Sequence, residues 1–216
     1  MLNGARPFFT RLLTPAGEAL ARTPITPNMV TVTGTVGVVA SVLWGYPTGH
    51  LFLGTLVATF FVLTDMLDGV LARIKGTSGK FGAFLDSTMD RLADAAVFSG
   101  LAVWFVRGGH NQLLAAVSIF CLVAGALVSY AKARAEGLGT TANVGIAERP
   151  ERMVVTFVAV GLSGLGVPYI LPVGLWVLAV ASVITLGQRI IAVHQGLAVT
   201  AGETGTGSAA AAHTIE

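Results

Sequence analysis

The chain has 216 residues, 54% of them hydrophobic and only 11% charged, with a mean hydropathy of +0.77 and a formal net charge of +2. A water-soluble domain carries about a quarter charged residues, so this composition excludes a soluble globular protein and points to a single polytopic membrane domain. The pI near 9.0 comes without any basic-and-aromatic module, which excludes nucleic acid and leaves anionic lipids and phosphorylated substrates as partners.

In chain order, residues 5–22 (ARPFFTRLLTPAGEALAR) set Phe8, Phe9, Leu12, Leu13 and Leu20 among Arg6, Arg11 and Arg22. That pattern predicts an amphipathic helix lying in the headgroup layer, with an ordinary basic flank as the alternative. The start lacks the long apolar core and small-residue cleavage site of a removable signal peptide. Thr26 is an N-cap and Pro27 a first helical residue for a span over about Asn28–Trp44. The turn GYPTGH leads to a second span, about Leu51–Arg73, which the basic, Gly-rich stretch Ile74–Lys80 ends. Further spans follow at about Phe81–Val106, Leu113–Glu136, Met153–Leu165 and Pro172–Val193. The predicted fold is therefore all-α, with six transmembrane helices plus the N-terminal interfacial helix, in one domain over residues 1–199. The tail 200–216, small and polar, is expected to be disordered. Cys121, the single cysteine, sits in an apolar run and reads as a core thiol.

Arg6, Arg11, Arg22, Arg73, Lys75, Lys80, Lys132, Arg134, Arg149, Arg152 and Arg189 fall on one side of this topology, Arg107 on the other, and Arg91 within the third span. The asymmetry places both termini and the Asp65–Lys80 mouth in the cytoplasm of a multi-pass plasma-membrane protein.

All five aspartates of the chain, Asp65, Asp68, Asp86, Asp90 and Asp94, lie on the second and third spans. A membrane-buried carboxylate costs roughly 2.5–3.5 kcal/mol on insertion scales, so such a gathering needs an offsetting charge. Asp65 and Asp68 share a helix face, as do Asp86 and Asp90 on the next helix, and Gly69, Ala72, Gly82 and Ala83 permit close approach. Two local bases, Arg73 and Arg91, are too few to balance four acids. Hard oxygen ligands select Mg²⁺, Mn²⁺ or Ca²⁺, and two such ions clamp a phosphoryl group. Asp94 reads as structural, paired with Arg91, with capping of the site from deeper in the membrane as the alternative. His50, His110, His194 and His213 are scattered through turns and ends and make no ligand set. Lys132, Arg134, Arg152 and Arg189, with Arg149 beside them, stand at the ends of three spans and could converge into a basic pocket for an acceptor that carries its own phosphate.

The pattern Asp65-x2-Asp68-Gly69-x2-Ala72-Arg73-x8-Gly82-x3-Asp86-x3-Asp90 resembles the signature of the CDP-alcohol phosphotransferases, membrane enzymes of phospholipid synthesis. The resemblance implies transfer of a phosphatidyl group from CDP-diacylglycerol to an alcohol with release of CMP, by a homodimer that uses two Mg²⁺ ions, Mn²⁺ being the alternative. It makes Asp65, Asp68, Asp86 and Asp90 metal ligands, and Asp90 the general base as well. The CDP-lipid falls to Asn28, Met29, Val30, Thr31, Gly69 and Arg73, and in the Gly-rich turn to Thr77, Ser78 or the Gly79 backbone, with Ser78 or Gly79 preferred. The SYAKARAE and ERPER stretches look like those of the actinobacterial phosphatidylinositol phosphate synthases, which implies inositol 3-phosphate as acceptor; glycerol 3-phosphate is the competing acceptor. A divalent-cation transporter fits less well, because the acids cluster at one mouth and do not continue across the membrane. A prenyltransferase fits less well because the spacing of the acids matches the CDP-alcohol pattern better.

Overall fold

The computed structural model describes the backbone of residues 6–77 and 79–212 and the side chains of residues 14–77 and 79–198. Among these, eight α-helices and no strand occur: α1 Arg6–Ala21, α2 Pro27–Gly45, α3 Leu51–Asp65, α4 Leu67–Ile74, α5 Lys80–Arg107, α6 Gln112–Gly137, α7 Arg149–Gly164 and α8 Ile170–Ala212. Side-chain caps start two of them, the first as the sequence predicts. Thr26 accepts the Met29 N–H through its side chain and Pro27 opens α2, while Asn111 caps α6 by accepting the Leu114 N–H at 3.0 Å.

Each of the six expected spans is a helix, but they differ in fitness to cross a bilayer. Four stretches are long and apolar enough by length and composition: Pro27–Gly45, Leu51–Ile74, Gln112–Gly137 and Ile170–Ala198. The other two have physical reasons to fall short. α5 carries Lys80, Asp86, Asp90, Arg91, Asp94 and Arg107 along its 28 residues, and α7 has only 16, about 24 Å at 1.5 Å per residue. The second span is also not one continuous helix. It breaks at Met66, whose N–H turns back to Val62 and Thr64, so that Asp65 ends α3 and Asp68 sits in the first turn of α4. In the tail expected to be disordered, the backbone of residues 200–212 instead continues α8, with its side chains and all of residues 213–216 outside the described residues.

The core lies where α2, α3, α5, α6, α7 and α8 meet, around Val42, Tyr46, Val97, Phe98, Leu101, Val160, Leu171 and Leu175. Glycines set the closest crossings. A Cβ on Gly45 would stand 2.7 Å from the Gly54 Cα, and one on Gly100 would stand 3.1 Å from the Val42 carbonyl, so neither α2–α3 nor α2–α5 could approach this closely with a side chain there. The Tyr46 hydroxyl, buried in the same place, is matched by Thr55 Oγ1 at 3.1 Å. On the other side, α1 packs on α4 through Gly17 and Val70, and the Lys75 ammonium donates to the Thr23 and Ile25 carbonyls at 2.9 and 2.8 Å. These contacts tie the α1–α2 connection to the end of α4 and so fix the α2 N-terminus against the α3–α4 break.

Candidate metal and substrate site

The break at Met66 gives Asp65 and Asp68 different helical environments and aims both at α5. Asp65 lies against α2 at Gly34, where an added Cβ would stand 3.0 Å from the Asp65 Cβ and Oδ1. Asp68 is held by α2 as well, accepting a hydrogen bond from the buried Thr31 hydroxyl, and its place in the first turn of α4 suits a negative charge. Asp86 comes from the second turn of α5. Each of these three carboxylates offers an oxygen, and the three oxygens lie within 4.8 Å of one another. Oxygen ligands 2.0–2.6 Å from one hard cation stand at most about 4–5 Å apart, so the set fits a divalent ion. The half-buried Asp65 supports this, since its Oδ1 is shielded from solvent and has no hydrogen-bond partner. An acceptor-only atom in that state is best satisfied by a cation.

A cleft of about 270 Å³ opens beside Asp68 and Asp86, lined by Pro27, Asn28, Thr31, Gly69, Ala72, Arg73, Thr77, Gly79, Gly82 and Ala83. Of the residues expected at the CDP-lipid, Asn28, Thr31, Gly69, Arg73 and Gly79 are therefore brought together. A Cβ on Gly69 would meet only the Arg73 guanidinium, at 3.9 Å, so its missing side chain leaves space that a ligand can use. Arg73 is exposed and oriented by donating from Nε to the Gly69 carbonyl at 3.0 Å. Met29 and Val30 do not line the cleft: Met29 is 53% exposed on the outer face of α2, and Val30 is 5% exposed in the packing below. The helix carries only one face of the Asn28–Thr31 stretch, residues 28 and 31, toward the ligand side. Ser78 lies outside the described residues.

Asp90, one turn beyond Asp86, stands apart from the three-carboxylate group. Its Oδ1 is 2.7 Å from Arg149 Nη1, and its Oδ2 is 3.9 Å from Arg91 Nη1. Asp94 has the structural role expected of it, with different partners. Arg149 Nε and Arg152 Nη2 each reach it at 3.1 Å, so two arginines from the start of α7 replace Arg91.

The expected basic pocket divides. Lys132 is half-buried and Arg134 exposed at the end of α6. Arg152 is 2% exposed, with its guanidinium lying over Gly125 and paired to Asp94, and its Nε and Nη1 have no hydrogen-bond partner. Arg189 is 3% exposed and spans three segments, donating to the Val144 and Val128 carbonyls at 3.0 and 2.6 Å and to Glu148 Oε1 at 3.2 Å. Arg189 is thus a buried cation satisfied within the protein, whereas Arg152 is buried with one nitrogen paired to Asp94 and two unpaired among the described residues; neither is exposed at a mouth. A buried guanidinium requires such partners. Thr77, one of the three candidates in the Gly-rich turn, lines the cleft; sequence reasoning took Ala83 only as a packing residue and missed Gly34 as the seat of Asp65. The sequence offers no signal for Gly34, which lies outside the aspartate pattern on a different helix.

Comparison with known proteins decides the family. The model of the CDP-alcohol phosphatidyltransferase family matches residues 24–187, which take in the cleft and every aspartate. The chain belongs to this family. It is 49% identical over 203 residues to a phosphatidylinositol phosphate synthase of Streptomyces avermitilis, covering 90% of this chain and 83% of that one. A protein of the same name from Mycolicibacterium smegmatis is 46% identical over 192 residues, 88% of this chain and 86% of that one. Among solved structures, Mycobacterium tuberculosis phosphatidylinositol phosphate synthase with CDP-DAG bound matches with a TM-score of 0.81 at 45% identity, over 85% of this chain and 94% of that one. The same enzyme in complex with manganese and citrate matches with a TM-score of 0.80, over 83% and 88%.

Proposed function

We propose that this phosphatidyltransferase moves the phosphatidyl group of CDP-diacylglycerol to inositol 3-phosphate, giving phosphatidylinositol phosphate and CMP. The observation that carries the reading is the Asp65–Asp68–Asp86 group at the edge of a cleft lined by Asn28, Thr31, Gly69 and Arg73, in a chain so similar to enzymes of that name. Asp65, Asp68 and Asp86 hold a divalent ion, with Asp90 joining when a second is bound; Mg²⁺ is the proposed ion and Mn²⁺ the alternative. Such an ion supplies positive charge against the donor diphosphate and the leaving phosphate.

The protein's own groups do the rest. Asn28, Thr31 and Gly79 line the space for the cytidine end, Gly69 leaves room for it, and Arg73 balances diphosphate charge. Asp90 accepts the proton of the attacking hydroxyl, that oxygen bonds to the lipid-side phosphorus, and the bond from phosphorus to the bridging oxygen breaks to release CMP. Lys132, Arg134 and Arg152 supply charge to the acceptor phosphate, Arg152 through the two donors that have no partner among the described residues, and Arg189 adds its charge from behind them while held by Val128, Val144 and Glu148. The six spans formed by α2, α3 with α4, α5, α6, α7 and α8 cross the plasma membrane, α1 lies in its inner headgroup layer, both termini face the cytoplasm, and the chain works as a homodimer with its catalytic domain in residues 1–199.

Purified protein in lipid nanodiscs, given CDP-diacylglycerol and Mg²⁺, should release CMP and form product with inositol 3-phosphate. Product with glycerol 3-phosphate alone would overturn the acceptor, and no CMP with either would overturn the reaction.

A further inference from the structure

Two carboxylates and three guanidinium groups meet between α5 and the start of α7. Arg149 bridges Asp90 and Asp94, Arg152 holds Asp94, and Arg91 faces Asp90 at a longer distance. The group carries one positive charge in excess, and Arg152 keeps two buried donors without partners. Both oxygens of Asp90 face a guanidinium, and the shorter contact, 2.7 Å, occupies Oδ1.

We infer that Arg149 guards Asp90, engaging its carboxylate until a phosphate group competes for the Arg149 guanidinium. The inference rests on the proposed role of Asp90 as base. A guanidinium binds phosphate through two parallel hydrogen bonds, and a dianion brings more charge than a carboxylate. An arriving phosphorylated acceptor therefore draws Arg149 off Asp90 as it places its hydroxyl nearby. Without an acceptor, Asp90 stays engaged and does not assist water. The suppressed side reaction is hydrolysis of the donor. In it, water oxygen bonds to the lipid-side phosphorus, its proton passes to Asp90, and the bond to the bridging oxygen breaks to give phosphatidic acid and CMP. Arg149 thus selects a phosphorylated alcohol over water, which makes it a positioning residue that acts through Asp90.

Competition is measurable without turnover. Binding of inorganic phosphate to the full-length, metal-free protein in nanodiscs is followed by calorimetry for the wild type, Asp90→Asn, Arg149→Gln and the double variant, each checked for monodispersity. Asp90→Asn should tighten phosphate binding on the order of tenfold, the worth of one charge-assisted hydrogen bond. The gain should vanish in the Arg149→Gln background, which separates it from a general change of charge. Unchanged or weaker binding in Asp90→Asn, or an equal gain in the double variant, would overturn the inference. In a second arm, Arg149→Gln supplied with CDP-diacylglycerol and Mg²⁺ but no acceptor should release CMP on the order of tenfold faster than the wild type. A folded variant that does not exceed the wild type refutes the guard. Arg149→Lys, which keeps the charge but not the fork, replaces it should Gln not fold. A wild type that makes no product with any phosphorylated polyol would sink the functional reading instead, independently of the phosphate-binding result.

Discussion

Replacing Gly34 by alanine is the sharpest test of how the site is seated. The new methyl carbon would stand 3.0 Å from both Cβ and Oδ1 of Asp65 and 3.4 Å from its Cα. Ordinary contact between such atoms begins near 3.4 Å, so Asp65 or α2 must give by a few tenths of an ångström. Small-to-large changes in close packing cost about 1–3 kcal/mol. The displaced atom here is also the Asp65 oxygen that has no hydrogen-bond partner among the described residues. Moving a group that sets a ligand's position weakens metal affinity by about 10- to 100-fold. The assay is the Mn²⁺ concentration giving half-maximal CMP release, beside the thermal midpoint in detergent. Gly187→Ala is the control, because a Cβ there meets nothing within 4 Å. The expected result is a metal requirement raised at least tenfold in Gly34→Ala and unchanged in Gly187→Ala. Half-saturation equal to wild type in a folded Gly34→Ala protein would refute the assignment of Asp65 to the metal.

Thr31→Val removes the buried hydroxyl that donates to Asp68 while keeping the shape of the side chain, and should raise the same metal requirement about tenfold, the worth of a hydrogen bond to a charged group. Asp94→Asn leaves Arg149 and Arg152 short of a counter-charge in a buried place, and should lower stability by about 3–5 kcal/mol, seen as a lower thermal midpoint. Gly145→Ala, at φ +142 with Thr185 Cγ2 where the methyl would go, should detach the Leu138–Glu148 connection from α8 and be read as faster proteolysis there.

What the sequence made legible was local. The Thr26–Pro27 start, the helical character of the six expected stretches and the pairing of Asp65 with Asp68 on one stretch and of Asp86 with Asp90 on the next all follow from short spacings and caps. So does the cleft beside Asp68 and Asp86, because Gly69, Arg73, Gly79 and Gly82 are close in the chain. The break at Met66 was not legible, since an apolar residue between two acids carries no stop signal; it is set by packing of α4 on α1 and α2. Long-range choices were hidden too. Asp94 pairs with arginines 55 and 58 positions away in preference to Arg91 three residues before it, and Arg189 turns inward to carbonyls on two other segments. Spacing alone gives each of these basic residues the same standing, and only the fold separates the buried Arg152 and Arg189 from Lys132 and Arg134 nearer solvent.

The account depends on Asp65, Asp68 and Asp86 acting together on a divalent ion, and a Mn²⁺ titration followed by electron paramagnetic resonance tests this most directly. In wild-type nanodiscs the free-ion signal should fall as ions bind. In the folded triple variant with asparagine at the three positions, it should match protein-free buffer at the same Mn²⁺ concentrations. Equal binding by the triple variant would contradict the account.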